Sequence, residues 1–242
     1  MTKKPAASDD GVAVGRRVFL GIIGLGAVGV VAGTGLQAAI GDLVRPLQSV
    51  DPTGLSGLVP AGGGWRYYTV TDGYPAETDA QYELTIDGLV DRPMTLRIAD
   101  LRAMVPSHLV RDFQCVTGWR VNGVHWEGVA LSHLLDSAGV QVSATAVHFE
   151  SFDGTYTESL TLDQARRPDV IAAYSMLGGP VSRDHGGPVR LYVAPMYGYK
   201  SVKWLSRITA TARVEPGYWE QEGDYDVNGW VGASNGRNDA RT

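Results

Sequence analysis

A chain of 242 residues with a single cysteine, Cys115, has no intrachain disulfide to hold it together. Its fold must rest on buried apolar surface. A hydrophobic share of 44% beside 19% charged residues is enough for an ordinary globular core. One cysteine also removes every multi-cysteine zinc or iron–sulfur site. A lone thiol is then either buried and inert or held as a thiolate by something the chain binds. Formal net charge is -5, and the first 40 residues hold four basic and two acidic side chains, so the rest is more acidic still. That balance gives no general support for nucleic-acid binding.

The chain opens with an address. Arg16-Arg17-Val18-Phe19-Leu20 looks like a twin-arginine export signal, and the apolar stretch from Val18 to Ile40 spans 23 residues, long enough to cross a bilayer. No clear small-residue cleavage site follows around Gln37 to Ile40, so cleavage and retention as a membrane anchor both stay open. Either outcome puts the folded part in the periplasm or on the outer face of the cytoplasmic membrane. Residues 1–40 are therefore a signal or anchor. Residues 41–64, with Pro46, Pro52, Pro60 and Gly62-Gly63-Gly64, read as a connector. Residues 65–227 are expected to form the main folded domain, and residues 228–242, rich in Gly, Asn, Asp and Arg, a flexible tail.

Within that domain the pattern predicts an extended segment at 65–70, a strand at 82–88 and a short helix at 96–104 with Leu101 inward. A strand at 109–116 follows. Residues 126–129 then lead into a helix at 130–138 with Leu131, Leu134 and Leu135 on one face. Strands are expected at 147–152, 170–174, 189–193 and 208–212, with a turn at Asp153-Gly154 and a helical turn at 162–166. Irregular alternation of strands and short helices points to a mixed-sheet α+β domain.

Cys115 falls at the end of a predicted strand, where its side chain can be aimed into a cleft. A soft metal favours a thiolate, and Arg111 or Arg120 could help stabilise the charge. A nucleophilic cysteine would instead need a histidine base. His108 is seven positions away, and His125 or His133 could reach it only through the fold. His108, His125, His133 and His148 lack the spacing of a zinc site. Trp119, Trp126 and Trp204 read as core walls. Arg183, Arg190, Lys200 and Lys203 fall within 21 residues, beside Gly186, Gly187 and Gly198. This is either an anion site with close backbone approach or a solvated basic loop. Tyr156, after Asp153-Gly154-Thr155, is either a substrate-orienting or proton-donating phenol or a hairpin tyrosine.

Two of these segments together resemble the sulfite oxidase family of molybdopterin-dependent oxidoreductases. Phe113-Gln114-Cys115-Val116-Thr117-Gly118-Trp119 with Trp126-Glu127-Gly128-Val129 is similar to the family's cysteine segment. His185-Gly186-Gly187-Pro188-Val189-Arg190-Leu191 with Tyr197-Gly198-Tyr199-Lys200-Ser201-Val202-Lys203-Trp204 is similar to its cofactor-holding segment. The likeness spans roughly residues 65–215. It implies a Mo-molybdopterin cofactor with Cys115 as the metal ligand. His185, Arg190, Tyr197, Lys200 and Lys203 are then implied to hold the pterin and its phosphate, and Tyr156 to act at the opening of the active site. The bacterial exported methionine-sulfoxide reductases of the family share the export signal and the Tyr-Gly-x-Lys segment. They imply reduction of a small or protein-bound sulfoxide with electrons from a membrane haem protein. Sulfite oxidation is the alternative, against which stand the absence of an arginine at 116–119 and the end of the chain at Thr242. A noncatalytic exported binding domain on the same fold is the rival of another class. The sequence leaves the oligomeric state open.

Overall fold

The computed structural model describes residues 65–231 apart from 68 and 72. The stretch expected to be an export signal or anchor, the whole of the expected connector and the last eleven residues, 232–242, lie outside the described residues. Among the described residues no helix is long and apolar enough to cross a membrane.

Ten strands form two sheets. The first takes β1 (Glu83–Gly88), β2 (Met94–Arg97), β5 (Ala146–Ser151), β6 (Thr157–Thr161) and β10 (Leu205–Thr211) in the order β2-β1-β10-β5-β6. Only β1 and β10 run parallel in it, so the sheet is mixed. The second takes β3 (Ser107–Gln114), β4 (Arg120–Ala130), β7 (Val170–Met176) and β8 (Gly179–Pro180), with β9 (Arg190–Val193) paired to β7. Among the described residues four short helices accompany the sheets in this α+β fold: α1 (Ile98–Ala103), α2 (Leu131–Ala138), α3 (Leu162–Ala165) and α4 (Tyr218–Glu222).

Both sheets share one core. Leu84 and Ile86 of β1, Phe149 of β5, Ala172 of β7, Leu191 of β9 and Ile208 of β10 all meet in it. In α2 the apolar positions fall at 131, 134, 135 and 138, one face of a 3.6-residue turn, and all four are buried. Leu101 is buried between exposed Asp100 and Arg102, as the helical spacing requires. Trp119, Trp126 and Trp204 are buried too.

Three expectations need correction. Residues 65–67, 69 and 70 form no strand. Residues 120–130 form an eleven-residue strand where only a lead into a helix was expected. The register of β4 against β7 shifts at Glu127/Gly128, which brings Val129 inward out of phase with Val124 and Trp126, and so breaks the period of two. Finally, 228–231 belong with the body, because Gly229 and Val231 bond to the loop at 195–197.

Leu134 is fully buried, whereas its neighbour His133 is exposed. Leu134→Ala should lower the unfolding free energy by about 2–5 kcal/mol. His133→Ala should change it by less than about 0.5 kcal/mol. Urea unfolding midpoints at constant slope check both, and equal effects would refute the assigned helix face.

Candidate active site

Cys115 is the residue that follows β3. Its amide donates to the carbonyl of Trp119 at 2.9 Å and its carbonyl accepts from Gly118 at 3.0 Å, so the strand ends in a tight turn with the cysteine at its base. The Thr117 hydroxyl donates to the Cys115 sulfur at 3.2 Å. The residue is only 7% exposed. Two residues earlier, Phe113 stands 5.6 Å from the Trp119 ring. Gly198 lies flat against Phe113, where a Cβ would come within 2.4 Å of the ring. The tip of one basic segment therefore packs on the strand that carries the thiol.

Arg190 joins the pieces. It is 1% exposed, and its guanidinium lies 5.3 Å from the centre of the Phe113 ring and 5.6 Å from that of Trp126. It donates to the carbonyls of His185 at 2.7 Å and Ser201 at 3.1 Å, so both basic segments are tied to one side chain. Tyr192, stacked on Trp126 at 4.0 Å, donates to the carbonyl of Asp112 and anchors the same strand.

Lys203 donates to the carbonyl of Asp184 at 2.8 Å, and its ammonium lies 5.1 Å from the Trp204 ring centre and 5.6 Å from that of Tyr74. Trp204 donates from its backbone to Gly186 and from its indole to Arg183. Gly186 has φ +98, and a Cβ there would fall 2.5 Å from Cβ of Lys203. The glycine thus serves close approach of one protein segment to another. His185 is buried, with Tyr67 Oη 3.2 Å from its Nε2 and the two rings edge to face at 4.8 Å. Neither Tyr67 nor Trp204 was expected as part of the site. Tyr67 approaches from 118 residues away, which no local pattern reveals.

The expected residues do not all converge. Lys200 is fully buried, with its ammonium on Glu158 Oε1 at 2.5 Å, Glu220 Oε1 at 2.6 Å and the Val227 carbonyl at 2.9 Å. Those contacts match its three protons, so in this arrangement its charge is engaged within the fold. Arg120 pairs with Asp112, and Arg111 donates to the Val110 carbonyl, so neither guanidinium is committed to the thiol. Arg183 donates to the carbonyls of Tyr74 and Pro75. Tyr156 donates to the Tyr199 carbonyl at 2.6 Å and stacks on Tyr218 at 5.8 Å. Tyr197 bonds through its amide to Gly229 at 2.7 Å, and its ring stacks on Tyr199 at 6.5 Å. His108, His125 and His133 are exposed, and His148 bonds to Ser159.

Electrostatics single out His185, Arg190 and Lys203. Burial pulls Lys203 down to about 7 and Arg190 adds to it, with Asp184 and Asp153 opposing. Burial, then Arg190 and Lys203, hold His185 at about 3, so its imidazole is neutral at neutral pH. Burial lowers Arg190 to about 10. Cationic groups crowded in this way are relieved by a bound anion. Among the described residues no group of three or more His, Cys, Asp or Glu could hold a metal alone. One thiol beside an anion-seeking cluster fits a metal that brings its own organic, phosphate-bearing scaffold.

Two titrations test this picture. In cofactor-free protein the Lys203 amine should titrate near pH 7 by NMR of labelled lysine side chains and move upward on adding phosphate; an ordinary value near 10.5 would refute the crowding. Burial, against the pull of Lys200 and with Glu220 adding to it, raises Glu158 to about 8. A raised carboxyl favours folding most below its unfolded value, and that contribution is lost as pH rises through 8. Glu158→Gln should therefore gain unfolding free energy relative to the parent between pH 5 and 8; a constant difference would contradict it.

Comparison with known proteins identifies the family. A family profile described as oxidoreductase molybdopterin binding domain matches residues 72–219. An uncharacterized oxidoreductase of Bacillus subtilis, YuiH, is 36% identical over 154 residues, covering 63% of this chain and 76% of that one. The sulfite oxidase of Arabidopsis thaliana is 32% identical over 180 residues, covering 60% of this chain and 46% of the plant protein. The protein-methionine-sulfoxide reductase catalytic subunit MsrP of Ralstonia nicotianae is 29% identical over 153 residues, covering 57% and 46%. The chain thus spans less than half the length of the last two. In fold it is similar to the sulfane dehydrogenase SoxCD from Paracoccus pantotrophus, with a TM-score of 0.57 at 24% identity over 62% of this chain and 42% of that one. With more than half of its length matched by the family profile and its cysteine and basic segments meeting at one site, the chain belongs to the sulfite oxidase family of molybdopterin-dependent oxidoreductases.

Proposed function

We propose that the chain is an exported reductase that removes an oxygen atom from a sulfoxide or a related oxidised compound. Cys115 is its one protein ligand to molybdenum. The observation that carries this assignment is the setting of the sulfur, at a strand end two residues from the ring that covers the buried Arg190 guanidinium. His185, Arg190 and Lys203 hold the pterin and its phosphate, as the burial of all three and the repulsion between Arg190 and Lys203 favour. When bound, the group supplies two-electron chemistry at a metal that exchanges an oxygen atom. The chain supplies placement and charge. Overall a sulfoxide takes up two electrons and two protons and leaves as a sulfide and water. The electrons come from a membrane haem protein.

Tyr156 gives its one phenol proton to the Tyr199 carbonyl and so steadies the loop at 198–200 beside the site. Burial holds its phenol well above the ordinary range, with Glu158 and Glu220 adding to the effect, so it keeps its proton at neutral pH. An uncharged sulfoxide is favoured over sulfite because the two arginines nearest Cys115 in sequence are engaged with Asp112 and Val110. The paired arginines at 16–17 add the twin-arginine route, which carries proteins already folded and so allows the cofactor to be inserted before export. The folded part then works in the periplasm or on the outer face of the cytoplasmic membrane.

Protein matured in a cofactor-competent host should carry molybdenum and pterin in near-equal amounts and reduce sulfoxides with a reduced viologen dye. Cys115→Ser should stay folded and lose turnover. Retained turnover in that variant rules out the thiolate role, turnover of sulfite alone replaces the substrate, and a folded protein without pterin or turnover would be a binding domain.

A further inference from the structure

Lys200 has three partners from two parts of the chain: Glu158 on β6, and Glu220 and Val227 in the C-terminal stretch. One ammonium between two carboxylates is costly to bury, and Glu158 Oε2 is buried without a hydrogen-bond partner among the described residues. Buried ion pairs seldom add stability over well-packed apolar side chains, and their best-attested contribution is a fixed arrangement. Here the arrangement fixed is that of residues 217–231. That strap is zipped along the loop at 195–200. Tyr197 donates to the Gly229 carbonyl at 2.7 Å and Val231 to the Pro195 carbonyl at 3.1 Å, and Met196 and Trp230 form an antiparallel bridge. Tyr199 donates to the Asp226 carbonyl at 2.5 Å. At Gly229 a Cβ would fall 2.5 Å from the Lys200 side chain, so the strap lies directly on it.

The strap brings aromatic rings to the loop that packs on the strand leading to the cysteine. Tyr225 stacks on Trp219 at 5.6 Å and meets Tyr199 edge to face at 5.1 Å, while Gly198 next to Tyr199 packs on Phe113, two residues from Cys115.

We propose that Lys200 is a positioning residue that pins the strap against β6, and that the pinned Tyr225 is the substrate-side wall of the Cys115 centre. The wall selects for the organic arms of the substrate by ring contact and leaves the oxygen to the metal. This rests on the assignment of Cys115 as metal ligand. Lys200 therefore reaches the reaction through the strap, without touching cofactor or substrate.

The test uses the molybdenum-loaded enzyme and the variants Lys200→Met, Glu220→Gln and Tyr225→Ala. Lys200→Met should keep its molybdenum and pterin, raise KM for an aryl methyl sulfoxide by about tenfold or more, and change kcat by less than about threefold, the pattern of lost ground-state binding. Limited proteolysis should cut Lys200→Met faster within residues 217–231, with Glu220→Gln giving a weaker form of the same change. Tyr225→Ala should lose the preference for the aryl sulfoxide over dimethyl sulfoxide. Loss of pterin in step with activity in Lys200→Met would make Lys200 a cofactor ligand and overturn the proposal. Unchanged proteolysis and KM would overturn it equally. Should Lys200→Met fail to fold, Glu220→Gln and Tyr225→Ala decide by the same readouts. Should the parent bind no molybdenum, the assignment of Cys115 fails, and proteolysis of the strap still decides whether Lys200 pins it.

Discussion

The buried guanidinium of Arg190 is the contact on which the rest of the site depends. A delocalised cation can lie against two aromatic rings and still donate to carbonyls in its own plane. Phe113 and Trp126 supply the faces, and His185 and Ser201 the carbonyls. A lysine would offer a point charge and no planar fork, so it could not bridge the same groups. Through this one side chain the strand leading to Cys115, the loop at 183–188 and the loop at 200–204 acquire a common reference point.

Two cations only three residues apart are used in opposite ways. Lys203 lies beside other cations and is pulled down to about 7 by burial and by Arg190, which leaves it seeking an anion. Lys200 lies between the carboxyl groups of Glu158 and Glu220 and a carbonyl, and has its partners already. The 3-10 turn at Gly198–Lys200 ends at Lys200, and the chain passes through buried Ser201 and Val202 before it reaches Lys203. One therefore belongs to the surface a ligand would meet, and the other to the framework behind it.

Elements with a clean period were legible in the sequence. The face of α2 needed only Leu131, Leu134 and Leu135, and β1 only its alternation up to Gly88. The strand β4 was hidden because the bulge at Glu127/Gly128 shifts the phase of its apolar side chains. The position of Cys115 at a strand end was readable, as was the basic character of residues 183–203. The role of Lys200 was not, since its partners come from residues 158, 220 and 227 and nothing local distinguishes it from Lys203. Glu158 carries the same lesson. A carboxylate within Thr157-Glu158-Ser159-Leu160 reads as a strand residue facing water, yet it is buried.

Trp204 keeps a left-handed backbone, with φ 52, in a residue that ordinarily avoids it. Such a conformation costs about 1–3 kcal/mol and persists only where its surroundings impose it. Its surroundings are the carbonyls of Gly186 and Arg183, which take its two N–H groups. The loops at 183–188 and 203–204 consequently behave as a spring latch. Loss of either carbonyl removes a bond that holds the strained turn, so the loops at 183–188 and 203–204 share their stability.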